Sequence, residues 1–320
     1  MTTPVFYVHK SGLETTLQDQ GRPGFQQYGI TESGAMDGFA LAMGNFLAGN
    51  HPDAPALEIT MAGPELEMIS ACTLALAGGD LGARLNGERL ASFTSFYVQP
   101  GDRLTFDGPV FGVRTYLTVA GGLIGTKTLG STATFEKAAM GGIDGRKVRK
   151  GDTLTRGSFH KDFKTQAGKR VHADLADHPY EKRPLRVLTG PEWEAFTEDG
   201  RRMFLSNGYQ VTGQSNRMGY RLHGPDITHE DRADILSDAV PFGTIQVAAD
   251  GQPMIMMADR QTTGGYTRIG HVITADHPYL AQLKPGDEVT FQLVSMKKAH
   301  EALSRQQMAC KKFAFARGLT

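Results

Sequence analysis

VQPGDRLTF at residues 98–106 returns as LKPGDEVTF at 283–291. In each copy an apolar, β-prone stretch runs into Pro-Gly-Asp and out into another β-prone stretch. Proline presets φ for the turn and glycine accepts the positive φ that the turn then needs. Three further pairs recur in the same order at nearly the same offset. TLALAGGD (73–80) returns as MIMMADRQ (254–261), Ser33-x-x-Met36-Asp37 as Ser215-x-x-Met218-Gly219, and VFYVHKSG (5–12) as LRVLTGPE (185–192). Any one match is weak, but four in register predict two copies of one β-rich unit.

The rest of the chain fits that reading. CTLALAG (72–78), GVRTYLTVAGG (112–122), PLRVLTG (184–190) and GTIQVAADGQPMIMMADRQ (243–261) are β-prone runs punctuated by turn residues. In SGAMDGFALAMGNFLAGN (33–50), Phe39, Ala42, Met43, Phe46 and Leu47 follow a helical period, with Asp37 placed to cap the start and Gly49-Asn50 to end it. A shorter helix is expected after Thr197, and a basic one over 296–314. The fold class expected is mainly β with a few helices, a tandem pair of β-barrel-like units related by internal duplication. The first unit spans 1–159 and the second 184–295. Residues 160–183, rich in charge and without a β period, read as a linker or surface loop, and 296–320 as a basic tail. Clefts formed by such units are where ligands usually bind.

Composition narrows the function classes. The 320 residues carry 34 basic and 34 acidic side chains, so no net field draws the chain to nucleic acid or an anionic membrane. No run of about 18 apolar residues could span a bilayer. The start, MTTPVFYVHK, lacks the apolar segment of a signal peptide, and the two cysteines, Cys72 and Cys310, imply no disulfide framework. The expectation is a cytoplasmic protein.

Familiar catalytic signatures are missing: there is no Walker A loop and no G-x-S-x-G elbow. Cys72 sits in an apolar strand and reads as a small core residue. His223 and His229, like His271 and His277, are six apart, which does not stack on a helix, so no metal site is expected. Ser295-Met296-Lys297-Lys298 departs from the pattern around a biotinylated lysine, so no biotin is expected on this chain.

Three clusters combine glycine with dense polarity. The first, Thr16 to Gly24, gathers Gln18, Asp19, Gln20 and Arg22 around Gly21 and Gly24; it is either a ligand-binding loop or one whose side chains cap their own backbone. The second, Ser215 to Arg221, offers Arg217 and Arg221 as anion donors. The third, Ala258-Asp259-Arg260-Gln261-Thr262-Thr263-Gly264-Gly265-Tyr266, leaves a strongly apolar strand. Groups this polar are costly to bury without partners, so a ligand-facing loop is expected, with Gly264-Gly265 admitting close backbone approach. The first copy holds Gly78-Gly79-Asp80 at the matching place, which makes Asp80 a second candidate.

TTLQDQGRPGFQQYGITESGAMD, ALEITMAGPELE, SNRMGYRL and DGQPMIMMADRQTTGGY together resemble the biotin-dependent carboxyltransferase family, also called allophanate hydrolase subunit 2, over about residues 5–295. The resemblance implies a pair of cyclophilin-like β-barrel units. It further implies a subunit of an ATP-dependent 5-oxoprolinase that opens 5-oxo-L-proline to L-glutamate. The cofactor would be ATP, with or without Mg2+. The expected partners are a separate subunit 1 type protein (PxpB/KipI-like) and a lactam-utilisation subunit (PxpA-like), and the chain is expected to be inactive alone. Two alternatives stand beside it: transfer of CO2 from carboxybiotin to urea or a related amide, and a non-enzymatic KipA-like regulator that binds a kinase inhibitor. In the 5-oxoprolinase reading Arg217 and Arg260 would clamp carboxylate or phosphate charge. Gln261, Thr262, Thr263, Gly264, Gly265 and Tyr266 would line the substrate site with Asp19 and Arg22, and Asp80 or Asp259 would serve as base.

Overall fold

A computed structural model describes residues 2–172, 175 and 178–319. The chain divides into two compact units. Unit 1 comprises Met1–Arg22, Ser33–His178 and Met308–Thr320; unit 2 comprises Pro23–Glu32 and Pro179–Gln307. The division falls inside the charged segment expected as a linker. Two boundaries differ from the sequence expectation. Ten residues of the N-terminal half, Pro23–Glu32, belong to unit 2, and the C-terminal helix Met296–Ala316 is shared between the units.

Unit 1 holds two sheets. The first runs in spatial order Thr153–Arg156, Thr3–Lys10, Glu65–Met68, Arg103–Phe106, Ala83–Leu85, Glu88–Arg89; the second runs Glu14–Gln18, Ala56–Thr60, Phe111–Val119, Cys72–Asp80, Thr94–Val98. Cys72–Asp80 is buried along almost its whole length, because the helix Gly38–Ala48 packs against it and against Phe111–Val119. That helix is apolar nearly all round, as a helix buried on most sides must be. Gly44 permits the close approach: a Cβ there would lie 2.9 Å from Thr118 Cγ2. Asp37 caps its start by accepting from the Ala40 N–H, and Gly49 ends it in the left-handed conformation (φ 82°). Cys72 is a core thiol, pushed up to about 12 by burial, so it is inert.

Residues 160–172, expected as linker, pack on unit 1. Phe163 stacks on Phe159 and lies under the Arg156 guanidinium, Thr73 Oγ1 donates to the Phe163 carbonyl, and Ser95 Oγ donates to the Gln166 carbonyl at 2.6 Å. Phe163 and Val171 supply the apolar anchorage that a charge count hides. The middle of the expected linker (173, 174, 176, 177) lies outside the described residues.

Unit 2 is one nine-stranded sheet ordered Glu288–Val289, Tyr209–Val211, Gly219–His223, Pro253–Met256, Thr244–Val247, Thr263–Val272, Leu185–Thr189, Phe291–Leu293, with Asp234–Ala239 pairing onto Thr263–Val272. Its core is the apolar face of those strands, with Leu185, Val187, Ile245, Val247, Ile255 and Ile269 all fully buried. The helix Glu198–Ser206 starts at Thr197, whose hydroxyl accepts from the Gly200 N–H.

The two Pro-Gly-Asp turns share one geometry. In the first, the Asp102 carboxylate accepts the Gln99 N–H at 2.7 Å, Gly101 has φ 90°, and the Gly101 N–H donates to the Met68 carbonyl at 2.8 Å. In the second, Asp287 accepts the Lys284 N–H at 2.9 Å, Gly286 has φ 93°, and its N–H donates to the Val211 carbonyl at 2.8 Å. Arg149-Lys150-Gly151-Asp152 builds the same turn a third time without a proline: Asp152 accepts the Arg149 N–H at 2.7 Å and Gly151 has φ 91°. Glycine and the aspartate cap therefore define the turn, and proline only stiffens it.

Candidate functional site

The polar loop of unit 2 follows the strand Pro253–Met256. Its entry is laced to residues 217–218, since the Met257 N–H donates to the Met218 carbonyl at 3.0 Å and the Asp259 N–H to the Arg217 carbonyl at 2.8 Å. Arg217 then grips the Asp259 carboxylate with two prongs, Nε to Oδ2 at 2.8 Å and Nη2 to Oδ1 at 3.1 Å. Both side chains are largely buried. Arg260 is 4% exposed; its Nε donates to the Val240 carbonyl at 2.7 Å and its Nη2 to Glu32 Oε2 at 2.5 Å. The Thr31 hydroxyl donates to the Arg260 carbonyl at 2.9 Å, and Gln26 Nε2 to the Thr262 carbonyl at 2.9 Å. The segment Pro23–Glu32 thus braces the loop, and three of the charges expected to face a ligand, Arg217, Asp259 and Arg260, are paired within the protein itself.

Four groups of the loop remain open. The side chains of Gln261, Thr262, Thr263 and Tyr266 make no hydrogen bond among the described residues, and Gln261, Thr263 and Tyr266 are exposed. Gly264 admits a neighbouring side chain. A Cβ there would lie 2.5 Å from Gln246 Nε2, so the missing side chain makes room for a buried amide. Gly265 has only Ile235 O and Ser237 Oγ near its Cβ position, each at 3.5 Å. Tyr266 also lines a cavity of about 610 Å3 on unit 2.

The candidates of unit 1 sit elsewhere in that unit. Asp19 accepts from the Gly21 N–H at 2.8 Å, the Ser131 hydroxyl at 2.6 Å and the Thr132 N–H at 2.5 Å. Arg22, 1% exposed, donates to the carbonyls of Ala133 and Thr128. Gln18 Nε2 donates to the Thr134 carbonyl at 3.2 Å. These side chains hold the irregular stretch 128–134, which has little regular secondary structure to satisfy its own backbone. Asp80 accepts from Gly82 N–H at 2.9 Å and from Arg89 Nη2 at 2.7 Å, at the end of the strand Cys72–Asp80.

Sequence reading missed one cluster. Glu58, 1% exposed, accepts from the Tyr116 hydroxyl at 2.6 Å and from the Met36 N–H at 2.9 Å, while the Tyr116 oxygen accepts the Asp37 N–H at 2.8 Å. Burial, then the charges of Glu58 and Asp37, push the Tyr116 hydroxyl well above the usual phenol range, so it stays a donor. The signal was a glutamate inside the otherwise apolar strand ALEIT, which must find donors if that strand is buried.

In unit 2, Asp276 is fully buried and held by Arg186 and Arg183, with Nη2 of Arg186 at 2.5 Å. His277 is pushed down to about 4 by burial and then by the neighbouring His271, so it is neutral. Among the described residues no group of three or more His, Cys, Asp or Glu could hold a metal ion. No helix among them is long and apolar enough to cross a membrane.

Comparison with known proteins adds the lineage. Residues 28–293 match the family model described as carboxyltransferase domain, subdomain A and B. The chain is 38% identical over 298 residues to a 5-oxoprolinase subunit of Escherichia coli, covering 93% of this chain and 94% of that one. It is 34% identical to the like-named 5-oxoprolinase subunit of Haemophilus influenzae, with 89% of each covered. Among solved structures it is similar to the K. lactis urea amidolyase, with a TM-score of 0.91 and 28% identity over 98% of this chain. It spans only 20% of that protein. The chain therefore belongs to the carboxyltransferase-domain family, subdomains A and B, as the four quoted sequence motifs imply.

Proposed function

We propose that this chain is a subunit of an ATP-dependent 5-oxoprolinase, which opens 5-oxo-L-proline to L-glutamate. One observation carries the reading: the match to proteins named as 5-oxoprolinase subunits runs nearly end to end on both chains. A carboxyltransferase acting on urea or a related amide is the second reading, favoured by the close backbone likeness to urea amidolyase. It ranks lower because this chain corresponds to only a small part of that protein.

The chemistry sets what the complex must do. A lactam carbonyl is a poor electrophile, and resonance holds its C–N bond. Transfer of the ATP γ-phosphoryl group to the lactam oxygen converts that oxygen into a leaving group and releases ADP. Water then adds to the same carbon, the C–N bond breaks, and the ring nitrogen takes a proton. A second water releases phosphate, leaving the glutamate carboxylate and amine. Throughout, donors must hold the substrate carboxylate and the developing phosphate charge. Gln261, Thr262 and Thr263 suit hydrogen bonds to the amide or the phosphate, which is supported by their lack of partners in a loop whose base is rigidly braced. Arg217, Asp259 and Arg260 act as positioning residues: the Arg217–Asp259 fork and the Arg260–Glu32 pair fix the start of the loop. Neither Asp80 nor Asp259 resembles an uncommitted base, since each accepts from an arginine. ATP, with or without Mg2+, and the subunit 1 type and lactam-utilisation partners would complete the reaction.

The test is ATP-dependent release of glutamate from 5-oxoproline by the assembled complex. Activity should vanish when this chain is left out, and the chain alone should be silent. A complex that ignores 5-oxoproline but carboxylates urea from carboxybiotin would replace this reading with the second.

A further inference from the structure

We infer that the cavity on the sheet of unit 2 is where the substrate's carboxylate-bearing, five-membered lactam ring binds. The inference rests on the 5-oxoprolinase reading for the identity of the ligand, and on the cavity itself for its chemistry.

The floor of the cavity is one face of four neighbouring strands. Arg221 lies opposite Met254, Met254 lies opposite Gln246, and Gln246 Nε2 donates to the Tyr266 carbonyl at 3.2 Å. Strand alternation sends the intervening residues Tyr220, Ile255, Ile245 and Val247 into the core, all nearly or fully buried. The row Arg221, Met254, Gln246, Tyr266 therefore crosses the sheet on its outer face, and His223 extends it along the first strand. A volume of about 610 Å3 is the size of a small-molecule site.

The groups in that row are those the sheet does not use. The Arg221 guanidinium makes no ion pair or hydrogen bond among the described residues, and neither does the His223 ring. Gln246 is 1% exposed, and its Oε1 is buried with no donor among the described residues. Its amide cannot be turned to cure this, because the Tyr266 carbonyl accepts only and claims the Nε2 end. Met254 is half-buried, and the Tyr266 ring is 39% exposed.

A five-membered lactam with a carboxylate meets each of these needs. Its carboxylate suits the planar fork of Arg221. Its ring N–H supplies the donor that Gln246 Oε1 lacks, and its carbonyl accepts from His223. Its methylene edge covers the Met254 thioether. A nucleotide fits poorly: among the described residues Arg221 is the one unpaired cation of the lining, and the Asp250 carboxylate stands at the rim, held by the Gln252 N–H at 3.1 Å.

Two readouts test this on the assembled complex. In steady-state turnover, Arg221→Ala should raise KM for 5-oxoproline roughly 10- to 100-fold, the range of a lost charged hydrogen bond, while kcat changes by less than about 3-fold. Arg221→Lys should recover part of the loss. In methionine-methyl NMR, the Met254 signal, assigned by Met254→Leu, should shift saturably with 5-oxo-L-proline in the wild type. It should shift far less with 2-pyrrolidinone, which lacks the carboxylate, and little in Arg221→Ala at concentrations that saturate the wild type. An active complex whose KM is unchanged in Arg221→Ala overturns the inference while the 5-oxoprolinase reading stands. A wild-type complex without turnover sinks that reading, and the methyl titration then decides the cavity alone: a saturable shift lost in Arg221→Ala keeps it, and a silent Met254 or a shift with ATP only overturns it.

Discussion

Arg260→Ala should unfold unit 2 more readily before it says anything about chemistry. The guanidinium is almost wholly buried, and its Nε bond to the Val240 carbonyl is short, at 2.7 Å. A charged hydrogen bond of this kind contributes about 1.5–3 kcal/mol. The pair with Glu32 contributes less, about 1 kcal/mol, because the Glu32 side chain is 34% exposed and solvent screens it. Val240 keeps a second donor, Gln26 Nε2 at 3.2 Å, so no carbonyl is orphaned. The sum is about 3 kcal/mol, or roughly 6–12 °C in Tm for a unit of this size. Thermal unfolding of the purified chain reads this directly, and limited proteolysis should find new cleavage within 23–32, the segment the arginine holds. Per-molecule activity of the folded complex at low temperature supplies the complementary number. A Tm within about 2 °C of wild type, together with abolished turnover, would refute the bracing argument and return Arg260 to the ligand.

Three other outcomes are expected. Asp19→Ala removes three bonds, two of them to the 128–134 stretch, and should cost about 3 kcal/mol, with amide exchange accelerating at Ser131 and Thr132 before the rest of unit 1. Tyr116→Phe leaves Glu58 and the Asp37 N–H short of a partner in a dry site, and should lower stability by about 2 kcal/mol in urea titration; an unchanged midpoint would mean water enters there. His277 is neutral in the fold down to about pH 4, whereas in the unfolded chain it takes a proton near 6.5. Stability should therefore fall as pH drops from 6.5 towards 4, by up to roughly 3 kcal/mol, and the slope should flatten in His277→Phe, which keeps the stack on Phe242 without a proton site. A slope unchanged in that variant would assign the loss to other groups.

Structure whose cause lies within a few residues was legible in the sequence. The Asp37 and Thr197 caps, the helix between Asp37 and Gly49 and the Pro-Gly-Asp turns all formed as read, since each depends on one side chain reaching a nearby N–H or on one glycine accepting positive φ. The lineage was legible because long motifs keep their order. The destination of polar side chains was not. Arg217 meets Asp259 across 42 residues, Arg260 meets Glu32 across 228, and Asp19 meets Ser131 across 112, and each bond spends a group that local reading left free for a ligand. The row of Arg221, Met254, Gln246 and Tyr266 was equally hidden. A strand's sequence shows which residues share a face, but register decides which strands lie side by side and at what offset, and register is a property of the assembled sheet.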